Sequence, residues 1–147
     1  MKLVVQRVTN ASVEVEDKIT GEIEEGLMVL VGFGVNDTTR EADYLAKKLV
    51  KLRVFQDENR RMNKSVQDIN GKLLLVPQFT LYASTKKNRP SFHKALDPER
   101  ATELFDYFKE QCMQHVEVET GVFGAFMKVN LLNNGPVTIL LEKEFDD

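Results

Sequence analysis

The chain has 147 residues, 42% of them apolar and 29% charged, and a formal net charge of −3. A length of this kind fits one domain over residues 1–147 and buries about two-thirds of the unfolded surface without metal or disulfide support. The slightly negative balance excludes a protein that wraps a long duplex by bulk attraction, so DNA is not an expected partner and any nucleic-acid contact needs a local basic patch.

Strand patterning opens the chain. Leu3, Val5 and Arg7 alternate with Val4, Gln6 and Val8, which predicts a strand partly buried on both faces. Val13 and Val15 alternate with Glu14 and Glu16, a hairpin follows at Asp17-Lys18, and Gly21 and Gly26 punctuate the next turns. The apolar run Leu27 to Phe33 has the length of a central strand. Thr38, with Glu41 three residues on, then forms a capping box, and Ala42, Leu45, Ala46, Leu49 and Leu52 follow at helical spacing. Lys47, Lys48 and Lys51 stand late in that helix, where cations suit the macrodipole.

Arg53-Val54-Phe55 reads as a short strand and Leu73 to Val76 as a buried one. Asp97 caps a second helix with Pro98 at its first position, and Ala101, Leu104, Phe105, Phe108 and Cys112 form its apolar face. Val116 with Val118, Met127 to Leu132, and Val137 to Leu141 supply further strands. The fold class is α+β, a mostly antiparallel sheet curling toward a barrel with two main helices. The lone Cys112 cannot make an intrachain disulfide and suits a reducing compartment. No secretory leader and no run of about 18 apolar residues is present, so the expectation is a cytoplasmic protein away from membranes.

Familiar catalytic routes are missing. Gly32-Phe33-Gly34 lacks the rest of a phosphate loop, and one cysteine with His93 and His115 is too little for a zinc cluster, so neither metal nor cofactor is expected. His93 reads as an exposed loop residue, and His115 ends the second helix, where a cation is favoured, with no catalytic role. Two segments stand apart. In Val76-Pro77-Gln78-Phe79-Thr80-Leu81-Tyr82, polar Gln78 and Thr80 alternate with apolar neighbours, which fits an edge strand limited by Pro77 or a site at a strand exit. Asn133-Asn134-Gly135-Pro136-Val137-Thr138 fits a plain hairpin turn or a functional loop.

Together, in this order, with Gln6-Arg7-Val8 near the start and Arg89-Pro90-Ser91-Phe92 between them, these segments resemble the D-aminoacyl-tRNA deacylase family along nearly the whole chain. The resemblance implies a homodimer that hydrolyses the ester between a D-amino acid and the terminal ribose of tRNA. It implies that Gly135-Pro136 of one subunit, held cis, enters the partner's active site, where a rigid carbonyl excludes L side chains and leaves D-amino acids and glycine accepted. Arg7 would fix that loop, and Asn133, Val137 and Thr138 belong to the same selecting segment. Backbone N–H groups around Gln78 and Phe79 would stabilise the oxyanion.

Thr80 is a nucleophile in one view of such enzymes, while in another the tRNA 2′-hydroxyl activates water. The absence of an evident base beside Thr80 favours the second. Phe79 would pack on the terminal adenosine, and Lys86, Lys87 and Arg89 would meet acceptor-stem phosphates. Pro77, Asn88 and Phe126 depart from the family pattern, which has serine, glycine and often an acidic residue there. The competing readings are a non-catalytic dimeric tRNA-binding module on the same fold and an esterase or amidase using Thr80.

Overall fold

A computed structural model describes residues 1–146. In chain order its elements are β1 (Lys2–Val15), β2 (Lys18–Ile23), β3 (Gly26–Gly32), α1 (Thr39–Lys51), β4 (Phe55–Gln56), β5 (Met62–Lys64), β6 (Lys72–Pro77), α2 (Pro98–Met113), β7 (Val118–Thr120) and β8 (Lys128–Glu142), with a single 3₁₀ turn at Phe79–Tyr82 after β6. Strand β1 is the spine. On one edge it pairs first with β3 and then with β2, and on the other with β8, always antiparallel. The β1–β2 hairpin turns at Glu16 and Asp17, whose φ values of 49° and 65° match the twist of the flanking strands.

Opposite β8 the register slips by one residue between Val8 and Asn10, so β1 carries a bulge at Thr9. Alternation resets there. Leu3 and Val5 face the helices, whereas Val8, Ala11 and Val13 face a second cluster with Ile23, Met28, Leu74 and Val76. The bend also carries β2 over toward β7. A Cβ on Gly21 would stand 2.6 Å from the Thr120 carbonyl oxygen, so this glycine serves a close strand approach inside β2 rather than the expected turn. The curled sheet thus holds one core inside itself and another beneath the two helices.

Strands β3, β6 and β7 run parallel, because α1 and α2 lie in the crossovers between them. Both helix starts follow the sequence reading. The Thr38 side chain accepts from the Arg40 amide, and Glu41 Oε1 accepts from the Thr38 amide at 2.9 Å, completing the capping box. Asp97 accepts from the Arg100 amide, with Pro98 in the first turn. At the start of β1 the Met1 ammonium is fully buried, 2.7 Å from Asp37 Oδ2 and 3.0 Å from the Lys143 carbonyl oxygen.

Three expectations need correction. The strands expected at Met127 to Leu132 and Val137 to Leu141 are one continuous strand, β8, which begins at Lys128, so Asn133 to Thr138 is not a hairpin turn. From Val8↔Asn133 to Gln6↔Thr138, β1 advances two residues and β8 five, which expels three extra residues as a bulge opposite Arg7. Second, Arg53 and Val54 lie outside any strand, and only Phe55–Gln56 pairs, with the unforeseen β5. Third, the chain does not continue as an edge strand beyond Pro77. It closes into the 3₁₀ turn, so Gln78 and Thr80 are not alternating strand residues.

Candidate active site

The 3₁₀ turn hangs at the end of β6. Pro77 stands opposite Val31 of β3, and the Gln78 amide donates to the Val31 carbonyl at 2.8 Å, which fixes where the turn begins. That bond corrects one expectation, because the Gln78 N–H is used in the sheet and is not available to a ligand. The next two amides differ. As the first residues of a helical turn, Phe79 and Thr80 have no carbonyl behind them to receive their N–H groups, and among the described residues neither makes a hydrogen bond.

The side chains of this turn are accessible. Phe79 is 55% exposed and packs edge-to-face on Phe92 with ring centroids 4.9 Å apart. Gln78 Nε2 donates to the Thr80 hydroxyl, and among the described residues no ionisable group is bonded to that hydroxyl. Beneath Phe79 and Phe92 opens a cavity of about 380 Å³, floored by Val31, Phe33, Leu96 and Phe123. Sequence reasoning did not single out Phe33, Leu96 or Phe123. Phe33 ends the apolar run that was assigned to core, and the other two come from loops that meet only in the folded chain.

A second cluster surrounds the bulge of β8. Arg7, 6% exposed, donates through Nε to the Asn134 carbonyl at 2.8 Å and through a terminal nitrogen to the Val54 carbonyl at 2.6 Å. The Asn133 side chain spans the bulge, accepting from the Val137 amide at 2.7 Å and donating to the Val137 carbonyl at 3.1 Å. It reaches Thr138 Oγ1 at 3.2 Å, where Gln6 also donates. These bonds replace the missing ladder and leave Gly135 and Pro136 projecting, joined by a cis peptide bond. Gly135 has φ of +140°, and a Cβ there would stand 2.9 Å from both an Arg7 nitrogen and Val137 Cγ2, so no other residue fits unstrained.

The two clusters do not meet within one chain. Val31, level with Pro77, pairs with Leu3, which pairs with Leu141, whereas the bulge lies level with Arg7. Four residues along the strands and three strand spacings across them separate the loop from the turn by roughly 20 Å measured along the sheet. Lys86, Lys87 and Arg89 are exposed on a small loop closed by the Ser84–Ser91 pair, next to Phe92. His93 is exposed with Nδ1 3.2 Å from Ser91 Oγ. Among the described residues no group of three or more His, Cys, Asp or Glu side chains is placed to hold a metal ion.

Comparison with known proteins bears on the family and the fold. A family model for D-Tyr-tRNA(Tyr) deacylase matches residues 4–142. A solved structure described as a c-Myc DNA Unwinding Element Binding Protein is 42% identical over 99% of this chain and 100% of its own, with a TM-score of 0.94. Another, described as a probable eukaryotic D-amino acid tRNA deacylase, shares the fold at a TM-score of 0.83 and 17% identity, covering 95% of this chain and 97% of its own. The class is that of hydrolases acting on D-aminoacyl-tRNA. The chain belongs to the D-Tyr-tRNA(Tyr) deacylase family.

Proposed function

We propose that the turn at Gln78, Phe79 and Thr80 receives the aminoacyl ester at the 3′ end of tRNA in a site completed by the Gly135–Pro136 loop of a second copy of the chain. One observation carries this reading: the Phe79 and Thr80 amides are unengaged among the described residues, Phe79 lines an apolar cavity, and no described ionisable group is bonded to the Thr80 hydroxyl. Water adds to the ester carbonyl carbon, the oxyanion is met by those two amides, and the carbon–oxygen bond to ribose breaks as the ribose oxygen regains a proton. Thr80, whose hydroxyl oxygen accepts a hydrogen bond from the Gln78 side-chain amide and has no base bonded to it among the described residues, positions Gln78 rather than attacking. The proton is managed by the tRNA 2′-hydroxyl.

The offset of roughly 20 Å between the loop and its own chain's turn supports a homodimer in which each loop serves the partner. Held by Arg7, Asn133, Val137 and Thr138, the Gly135 and Pro136 backbone is a wall against an L side chain. A D side chain points away from it, and glycyl-tRNA passes because glycine has no side chain to exclude. Phe79 packs against the terminal adenosine, and Lys86, Lys87 and Arg89 meet acceptor-stem phosphates. The cytoplasm is the compartment that suits this work. Among the described residues no helix is long and apolar enough to cross a membrane.

Deacylation of matched D- and L-aminoacyl-tRNA tests the reading. Hydrolysis confined to the D form and glycine supports it, and equal hydrolysis of D and L forms removes the role given to the loop. A second reading, a nucleic-acid-binding module without hydrolysis, draws on the printed name of the 42% identical structure. It predicts tRNA or DNA binding with no turnover.

A further inference from the structure

The buried face of α1 is Ala42, Leu45, Ala46, Leu49 and Val50, which leaves Tyr44, Lys47, Lys48 and Lys51 turned outward. Together with Leu52, Arg53 and Phe145, that outer face lines an open groove of about 750 Å³. The aromatic wall is Tyr44 against Phe145, edge-to-face at 6.1 Å. Lys143 Nζ lies 4.8 Å and 4.7 Å from the two ring centroids, and the Arg40 guanidinium lies 4.4 Å from that of Phe145. Among the described residues the only carboxylate lining the groove, Asp43, is engaged by the Tyr107 hydroxyl at 2.6 Å.

This concentration of positive charge sits on a chain whose net charge is −3. Among the described residues Lys47, Lys48 and Lys51 make no ion pair. The helix macrodipole accounts for Lys48 and Lys51 in the last turn. It does not account for the spacing of Lys47 and Lys51, which repel one another four residues apart on one helix face. Three lysines without ion pairs among the described residues, lining one groove with an aromatic wall, fit a polyanion that brings its own phosphates. A two-fold contact between copies centred here would set these cations against themselves, so the groove is not suited to self-association.

The groove also has a direction. Its Arg53 end adjoins Val54, whose carbonyl is bonded by Arg7, and the same Arg7 holds Asn134 of the projecting loop. A ligand lying along α1 is thereby led toward Gly135–Pro136. We propose that this groove docks the phosphate backbone of the tRNA body, separately from the site that takes the aminoacylated 3′ end. The proposal rests on the reading of the chain as acting on tRNA.

Replacing Lys47, Lys48 and Lys51 together by alanine, a strong helix former, leaves the core face of α1 untouched. Binding of uncharged tRNA is measured over a range of salt, and hydrolysis is measured on D-aminoacyl-tRNA and on D-aminoacyl-adenosine, which lacks the tRNA body. The expected result is a weakening of tRNA binding by about tenfold or more at low salt, with the salt slope reduced by about one per lysine. KM for D-aminoacyl-tRNA rises in parallel, turnover of D-aminoacyl-adenosine is unchanged, and a triple arginine variant restores binding. Unchanged tRNA affinity and slope would overturn the proposal, as would an equal loss on D-aminoacyl-adenosine, or binding of the wild type to anionic vesicles but not to tRNA. Because binding is read with uncharged tRNA, a failure of the hydrolytic reading leaves that measurement standing on its own.

Discussion

Truncating Arg7 to alanine releases the loop at Asn134 and the chain at Val54 in one step, and the two losses differ in size. Asn134 is exposed, so water replaces the guanidinium at its carbonyl at little cost. Val54 is 5% exposed, and its carbonyl is left without a partner, at about 1–3 kcal/mol. Removing a buried guanidinium that has no carboxylate partner among the described residues returns part of its desolvation penalty. The net expectation is about 2 kcal/mol of lost stability, equivalent to a fall in Tm of about 4–8 °C for a chain of this size.

Selectivity should be more sensitive than stability. A loop that yields by only about 1.4 kcal/mol toward an L side chain loses tenfold in its preference for D. The assay is thermal unfolding paired with initial rates on matched D- and L-aminoacyl-tRNA, with Arg7→Lys as a second variant that keeps the charge but cannot reach both carbonyls. An Arg7→Ala protein with an unchanged Tm and an unchanged D-to-L ratio would refute the reasoning.

Other substitutions probe the remaining parts. Thr80→Ala should retain substantial D-aminoacyl-tRNA hydrolysis, because the hydroxyl has no base, and near-total loss in a folded variant would sink that assignment. Asp37→Asn should lower stability by about 3–5 kcal/mol, since it strips the counter-charge from the buried Met1 ammonium; a change in the denaturant midpoint equivalent to under about 1 kcal/mol would argue against it. Burial pushes the Glu41 carboxyl up, but the bonds it accepts from Thr38 and Phe145 outweigh this and leave its pKa lowered. The stability it contributes is therefore present above the ordinary carboxylate range and lost as pH falls through its folded value. Glu41→Gln should cost about 1 kcal/mol at neutral pH, and the gap from wild type should close in acid, which unfolding curves at several pH values will test.

What could be read from sequence divides by the range of the forces involved. Both helix starts were legible because Thr38 with Glu41, and Asp97 with Pro98, complete their bonds within a few residues. The apolar strands were legible through alternation, and Gly21 was misplaced because its reason, the Thr120 carbonyl, is remote in the chain. The bulge at Asn134 to Pro136 looked like a hairpin turn, since Asn-Gly-Pro is turn chemistry whichever strand follows, and only the pairing of both flanks with β1 reveals one strand. The use of the Gln78 amide by Val31 was hidden for the same reason. The lysines of α1 were visible as a helix end, but their groove needs Phe145 from the far end of the chain.

The clasp formed by Asn133 bears on thermal noise. A hairpin tip is a lever, so small angular motions of its two strands become large displacements at the end. A bulge gripped on both sides has no arm to amplify them: Asn133 ties its shoulders at 2.7 Å and 3.1 Å, and Arg7 pins its crest at 2.8 Å. Gly135 and Pro136 are therefore displayed like a stop on a fixed rail, and the exclusion proposed for them, which would depend on a fraction of an ångström, would keep its sharpness as temperature rises, until the sheet itself gives way.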